Sequence, residues 1–465
     1  MLLMAPPPPP PVVLAGADVW LPDGTLQAGH AVAVQDGRIT AVGPVAQVVQ
    51  AHPGARRVAL KGGTLMPAFI EGHAHVEGVG RLAARVNLVG STSLDEARRR
   101  IRTWAAQQPS GWILGRGWDQ NLWSGKAFPT AKDLDRATGE RPAALNRVDG
   151  HAMWVNTAAL KAAGIGAETP DPPGGRILRD AQGLPTGVLV DAAMELVGRC
   201  IPAPTLPERQ ATLRAGLLAL RRLGFASVAD MGVDAQTLEA YRNLDTAGSL
   251  PIRVFAYVMD DPALVDRELA VPRPALGFFQ VQGVKLLLDG ALGSRGARLL
   301  EPYHDEPGSL GLWTCAPERV AAVLDQVRRS GHQLAIHCIG DAANRALLDL
   351  VQRAGTTSGL PVRNEHSQIV ASEDARRFGA LGVVASVQPI HLADDHAWTP
   401  DRLGSQRVDR AFPWRTFLQH GAALCFGSDA PVADANPFLG LGAAETRQDA
   451  LGRPSGGFTP MASVT

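Results

Sequence analysis

Short apolar, β-branched runs recur along the chain, separated by stretches whose apolar positions repeat every three to four residues. The runs fall at 68–73, 226–231, 252–258, 281–287, 334–337, 362–366, 383–388 and 422–428. Their length and composition predict strands. The intervening stretches, such as Glu208 to Leu223 and Pro317 to Ser330, predict amphipathic helices. Alternation of strand and helix predicts an α/β chain with a parallel sheet. Eight repeats predict a (β/α)8 TIM-like barrel, a fold that carries its chemistry at the C-terminal ends of its strands.

Other regions depart from this rhythm. Residues 1–11 are a proline-rich tail, expected to be disordered. Residues 12–66 alternate apolar and polar positions around Pro22-Asp23-Gly24 and Asp36-Gly37, which predicts hairpins and a small, partial β-sandwich. The barrel is placed at 67–445. The stretch from about 90 to 207, between barrel strands one and two, is too long for a crossover and reads as an insertion. It holds Trp104, Trp112, Trp118, Trp123 and Trp154, aromatics that more often pack a core but are here also a candidate hydrophobic lid over the catalytic face. Residues 446–465 read as a Gly-Pro-Ser-rich tail, and Asn436 to Leu451 as a candidate helix.

Five of the eight predicted strands end in candidate ligands. The first carries Gly72-His73-Ala74-His75, where residues two apart share a face and aim two imidazoles at one ion. The fourth buries Lys285 in Val-Lys-Leu-Leu-Leu. The fifth, sixth and eighth end at His337, His366 and Asp429. Four imidazoles and a carboxylate suit Zn2+ or a similar divalent ion. Such an ion brings the pKa of bound water from 15.7 to about 7. Asp429 is then the expected proton shuttle to a leaving amine. Lys285, in an apolar strand, is expected to have a depressed pKa, unless it pairs with a carboxylate such as Asp289.

In these strand ends the chain resembles the metal-dependent amidohydrolase superfamily. More narrowly it resembles the amidohydrolase 3 branch, which includes N-substituted formamide deformylases. The motifs are Gly115-Arg-Gly-Trp118-Asp119-Gln, Arg147-Val-Asp149-Gly-His151, Val284-Lys285-Leu-Leu-Leu-Asp289, His337-Cys-Ile-Gly-Asp341-Ala-Ala-Asn344 and Gly427-Ser-Asp429-Ala-Pro431. The resemblance spans about 12–460 and implies hydrolysis of a non-peptide C–N bond in an amide, formamide or cyclic amide. It implies His73, His75, Lys285, His337, His366 and Asp429 as metal ligands for one or two ions, with a carbamate on Lys285 bridging two. Trp118, Asp119, His151 and Arg295 are candidate substrate contacts, with a surface arginine that orders its loop as the plain alternative for Arg295. Asp341 and Asn344 are expected to cap the helix after strand five.

Composition narrows the partners. Lysine plus arginine equals aspartate plus glutamate at 45 each, so no charge argument favours nucleic acid or an anionic membrane. No apolar run reaches the roughly 18 residues of a membrane span, and no secretory signal is evident. Four cysteines without CxxC spacing are expected to be reduced, in a cytoplasmic protein acting on a small molecule. Relatives continue past the final strand of this chain, so exposed edges and a homo-oligomeric or poorly soluble state are further expectations. A barrel kept only as a binding or scaffold protein is the alternative to an enzyme.

Overall fold

The computed structural model describes residues 10–83, 85–107, 110–147, 152–172, 175–273, 277–355 and 359–464. Eight strands form one parallel sheet in sequence order: β1 (Phe69–Ala74), β2 (Phe225–Val233), β3 (Arg253–Met259), β4 (Phe279–Leu287), β5 (Gln333–Cys338), β6 (Arg363–His366), β7 (Val384–Val387) and β8 (Leu424–Phe426). The last strand returns to the first. Asp429 N donates to His73 O at 2.7 Å, and His75 N donates to Ala430 O at 2.7 Å. The seam requires glycine on both sides. A Cβ on Gly72 would lie 2.4 Å from the Phe426 carbonyl oxygen, and one on Gly427 would lie 2.5 Å from His73 N. The barrel is the predicted TIM-like one, and its closing hydrogen bonds sit between two expected ligands.

The predicted helices are present at Leu206–Arg222, opened by a Thr205/Glu208 capping box, and at Pro317–Ser330. Between β1 and β2 lies a six-stranded sheet of Val86–Asn87, Ile113–Trp118, Ala143–Arg147, Ala152–Val155, Pro185–Asp191 and Gly175–Arg179 in spatial order 175–179, 185–191, 152–155, 143–147, 113–118, 86–87. Trp118, Trp123 and Trp154 lie in its core with Ile113 and Leu145.

The chain divides into two units at Phe69/Ile70. The first holds a four-stranded sheet (Arg38–Pro44, His30–Gln35, Val12–Ala15, Arg56–Ala59) and a three-stranded one (Leu26–Gln27, Asp18–Trp20, Thr64–Leu65). Asp36 and Gly37 both have positive φ, 49° and 73°, as a two-residue hairpin turn of the mirror type demands. Of the proline-rich tail, residues 1–9 lie outside the described residues.

The C-terminal stretch folds back on the chain. Helix Pro437–Thr446 ends at Arg447, which is fully buried. Its guanidinium donates to Phe458 O at 2.9 Å, Phe412 O at 2.9 Å and Thr459 Oγ1 at 2.6 Å, and it stacks 4.6 Å above the Trp414 ring. Low apolar periodicity hid this fold-back, because polar contacts centred on Arg447 hold much of it rather than a continuous apolar face.

Candidate metal centre and active site

β1 delivers His73 and His75 to the mouth of the barrel, the first buried and the second partly open to solvent. Each imidazole is oriented by one nitrogen. His73 Nδ1 lies 2.6 Å from Glu365 Oε2, His75 Nδ1 lies 2.7 Å from Met231 O, and His366 Nδ1 lies 2.7 Å from Gln388 Oε1. A ring nitrogen against such an acceptor carries the proton, leaving Nε2 as a bare lone pair. His337 is held the other way round, with Nε2 3.4 Å from Gly290 O and its ring centroid 4.5 Å from that of His366.

These lone pairs meet Asp429. Its Oδ1 is 3.3 Å from His73 Nε2 and 3.0 Å from His75 Nε2. Donor atoms of His73, His366 and Asp429 lie within 4.8 Å of one another. Yet His73 Nε2 and Asp429 Oδ1 are buried with no hydrogen-bond partner. Buried polar atoms are normally satisfied, so convergent orphaned lone pairs fit a divalent cation held between nitrogen and oxygen ligands.

Burial keeps His366 and His337 in their neutral, ligating forms. Burial, with the neighbouring His337, holds the His366 pKa well below its usual value. Burial and Lys285 bring that of His337 to about 3. Burial pushes the Asp429 carboxyl up, whereas His73 and His75, were they protonated rather than ligating, would hold it well below the carboxylate range. Lys285 is buried, and burial pulls its amine below the usual lysine value against the opposing charges of Glu365 and Asp429. Asp289, its alternative partner in the sequence, accepts instead from the backbone N–H groups of Ile339, Gly340 and Arg298 at 2.8–2.9 Å.

Two of the six residues expected as ligands are conformationally marked. His366 and Asp429 have φ of 76° and 59°, rare for non-glycine residues. Along a regular strand Glu365 and His366 would face opposite ways. The left-handed turn at His366 accompanies an arrangement in which Glu365 reaches His73 across the barrel while His366 also packs on the His73 ring, centroids 5.0 Å apart.

The expected substrate contacts fare differently. Trp118 is fully buried, donating from Nε1 to Leu145 O at 2.7 Å, so its ring belongs to the core of the insertion rather than to a pocket wall. Asp119 accepts from Arg147 Nη2 at 2.7 Å. Arg295 is bound by Asp305 at 2.9 Å and Glu306 at 3.3 Å, the loop-ordering alternative. His151, with Asp149, lies outside the described residues. Asp341 and Asn344 do not cap their helix, whose N-cap is Gly340 without a side-chain bond. Asp341 instead accepts from Leu300 N and Arg410, while the Asn344 amide donates to carbonyls of Gly340 and Ile369 and accepts from Asn364. Both residues tie loops together.

The sequence reading did not single out Glu365, Gln388 or His391. Glu365 stood beside a named histidine, but its partner is 292 residues away. Gln388 and His391 follow β7, which ends in no obvious ligand, so neither carried a signal.

A family model described as the amidohydrolase family matches residues 56–463. A model of an imidazolonepropionase-like composite domain of bacteria matches residues 31–55. The protein LONG AFTER FAR-RED 3 of Arabidopsis thaliana is 35% identical over 455 residues, 94% of this chain and 78% of that protein. N-substituted formamide deformylase of Arthrobacter pascens is 27% identical over 463 residues, 95% of this chain and 85% of the enzyme. A solved structure of an uncharacterized metal-dependent hydrolase from Pyrococcus horikoshii aligns with a TM-score of 0.78 and 27% identity, covering 98% of this chain and 89% of that one. Parallel barrel, convergent buried donors and a family match over most of the chain agree: this protein belongs to the amidohydrolase family and is a metal-dependent hydrolase.

Proposed function

We propose that this chain hydrolyses a non-peptide C–N bond in a small, partly apolar amide, formamide or cyclic amide. The observation that carries the reading is the pair of buried, unpartnered atoms, His73 Nε2 and Asp429 Oδ1, at the catalytic end of the barrel. The formamide deformylase similarity supports the bond type. His73, His75, His337, His366 and Asp429 would hold the ion, zinc in this reading, with about one or two per chain. Bound there, it would acidify water and polarise a carbonyl. Asp429 takes the proton of the attacking water and passes it to the leaving nitrogen. Lys285, neutral when desolvated, is the residue to capture CO2 as a carbamate and so supply two oxygens to a second ion. The four cysteines are free thiols, in keeping with a reducing cytoplasm, and no helix among the described residues is long and apolar enough to cross a membrane. The intact donor set gives the scaffold alternative no support.

Asp429→Asn tests the assignment, with turnover of N-benzylformamide and related formamides and imides as readout and metal content measured on the same preparations. The expected loss is at least about 10²–10⁴-fold in kcat. Near-wild-type turnover with metal still bound would remove Asp429 from the mechanism, and activity confined to phosphate esters would remove the C–N bond.

A further inference from the structure

Helix Pro389–Asp395 starts directly after β7, with Pro389 in its first turn and Ile390 and Leu392 buried. Its third residue, His391, is turned toward the site. His391 Nε2 lies 3.9 Å from Asp429 Oδ2, too long for a hydrogen bond, and is buried without any partner. The ring runs nearly parallel to that of His366, 12° between planes and 6.1 Å between centroids. The two oxygens of Asp429 are therefore divided. Oδ1 faces His73 and His75, and Oδ2 faces His391. His391 stays outside the compact donor group of His73, His366 and Asp429. It stands at the shuttle carboxylate on the side away from the His73–His75 pair.

We propose that His391 is a catalytic residue whose Nε2–H binds the substrate carbonyl oxygen and stabilises the negative charge that develops there. The inference rests on hydrolysis of a C–N bond. The water oxygen bonds to the carbonyl carbon, and the C=O π pair moves onto oxygen, opposite Nε2–H. Return of that pair breaks the C–N bond, and the nitrogen takes the proton that Asp429 received from the water. An ionised carboxylate facing Nε2 favours the tautomer with hydrogen on that nitrogen, because a second lone pair there would repel it. A buried donor aimed at an emerging oxyanion needs no reorganisation during the reaction.

The test uses zinc-loaded wild type, His391→Ala and His391→Gln, the last keeping an N–H donor of similar reach. Metal content is measured first, then affinity for methylphosphonate, a tetrahedral anion, by calorimetry, then kcat on N-benzylformamide. Expected are unchanged metal content, affinity about 10- to 100-fold weaker for His391→Ala, and substantial recovery in His391→Gln. The kcat of His391→Ala should fall about 10²–10³-fold. Loss of metal in either variant would make His391 a ligand and overturn the proposal. Equal affinity in wild type and His391→Ala, or no methylphosphonate binding by wild type, would also overturn it. If formamides are not hydrolysed but the methylphosphonate arm behaves as expected, the C–N reading falls and the oxyanion contact stands.

Discussion

Glu365 sets the proton position on His73 and is itself held by Arg363, whose Nε donates to Oε1 at 2.7 Å. Burial would raise its carboxyl, but Arg363 and His73 hold it well below the usual range. Glu365→Gln removes the charge that fixes the His73 tautomer and leaves Arg363 buried without a counterion. Metal affinity should drop about 10–100-fold, and stability by about 3–5 kcal/mol; zinc competition and denaturant melts read the two effects. The site histidines contribute to the acid response of the metal-free protein. His337 is neutral in the fold down to about pH 3, whereas an unfolded imidazole takes a proton below about pH 6.5. Between these values the unfolded chain binds more protons, so stability falls as pH is lowered. His366 acts in the same direction. Glu365, with its folded pKa depressed, contributes above its unfolded value and loses that contribution only at lower pH. Asp289 and Asp395, whose carboxyls burial raises to about 7, and Asp230, raised to about 6, act the other way over the same range. The His337 contribution is therefore read by difference: melts of chelated His337→Gln should decline less from pH 7 to 5 than those of wild type, and equal declines would contradict this. His73, His75, His337, His366 and Asp429 were legible because each ends an apolar strand. Glu365 and Gln388 were not, because their roles depend on contacts between strands that only the closed barrel brings together.

At the scale of elements, the barrel was legible because parallel strands covered on both faces read as unbroken apolar runs. Its insertion was legible only as excess length. The six-stranded sheet there mixes parallel and antiparallel pairs, and its tryptophans suited a lid as well as a core. Nothing in composition distinguishes the two until burial is known. The seam between β1 and β8 is an exacting contact beside the site. Gly72 has no space for a methyl group, with Phe426 O at 2.4 Å and Cys425 Sγ at 2.5 Å from a built Cβ. Gly72→Ala must push β8 outward, and Asp429 follows β8 by three residues. Overpacking of this kind costs about 1–3 kcal/mol. The sharper expectation is loss of metal binding beyond what the stability change explains. A variant that melts lower but binds zinc as tightly as wild type would show that the seam and the site are independent.

For the molecule as a whole, the decisive question is what holds the chain after the last barrel helix. Residues 447–464 return to the body. Phe458 N donates to Arg447 O at 2.8 Å, Ser463 Oγ donates to Glu445 O at 2.8 Å, and Phe458 packs edge-on to Phe412 at 6.3 Å. Arg447 sits at the centre, with its donors spent on carbonyls from both sides of the fold-back. Arg447→Met keeps most of the side-chain volume and removes every donor. The Phe458 carbonyl would then lose its side-chain donor, at about 1–3 kcal/mol, the Phe412 carbonyl would keep only the Trp414 N–H at 2.9 Å, and the stacking on Trp414 would be lost. The segment should loosen as a unit. Chymotrypsin, whose target Phe458 is buried in the fold-back, should cut the variant there much faster than wild type, and the thermal midpoint should fall by several degrees. Metal content should stay the same, because none of the proposed ligands belongs to this segment. Unchanged cleavage and melting would mean that apolar contacts around Phe458 hold the segment and that Arg447 merely fills space.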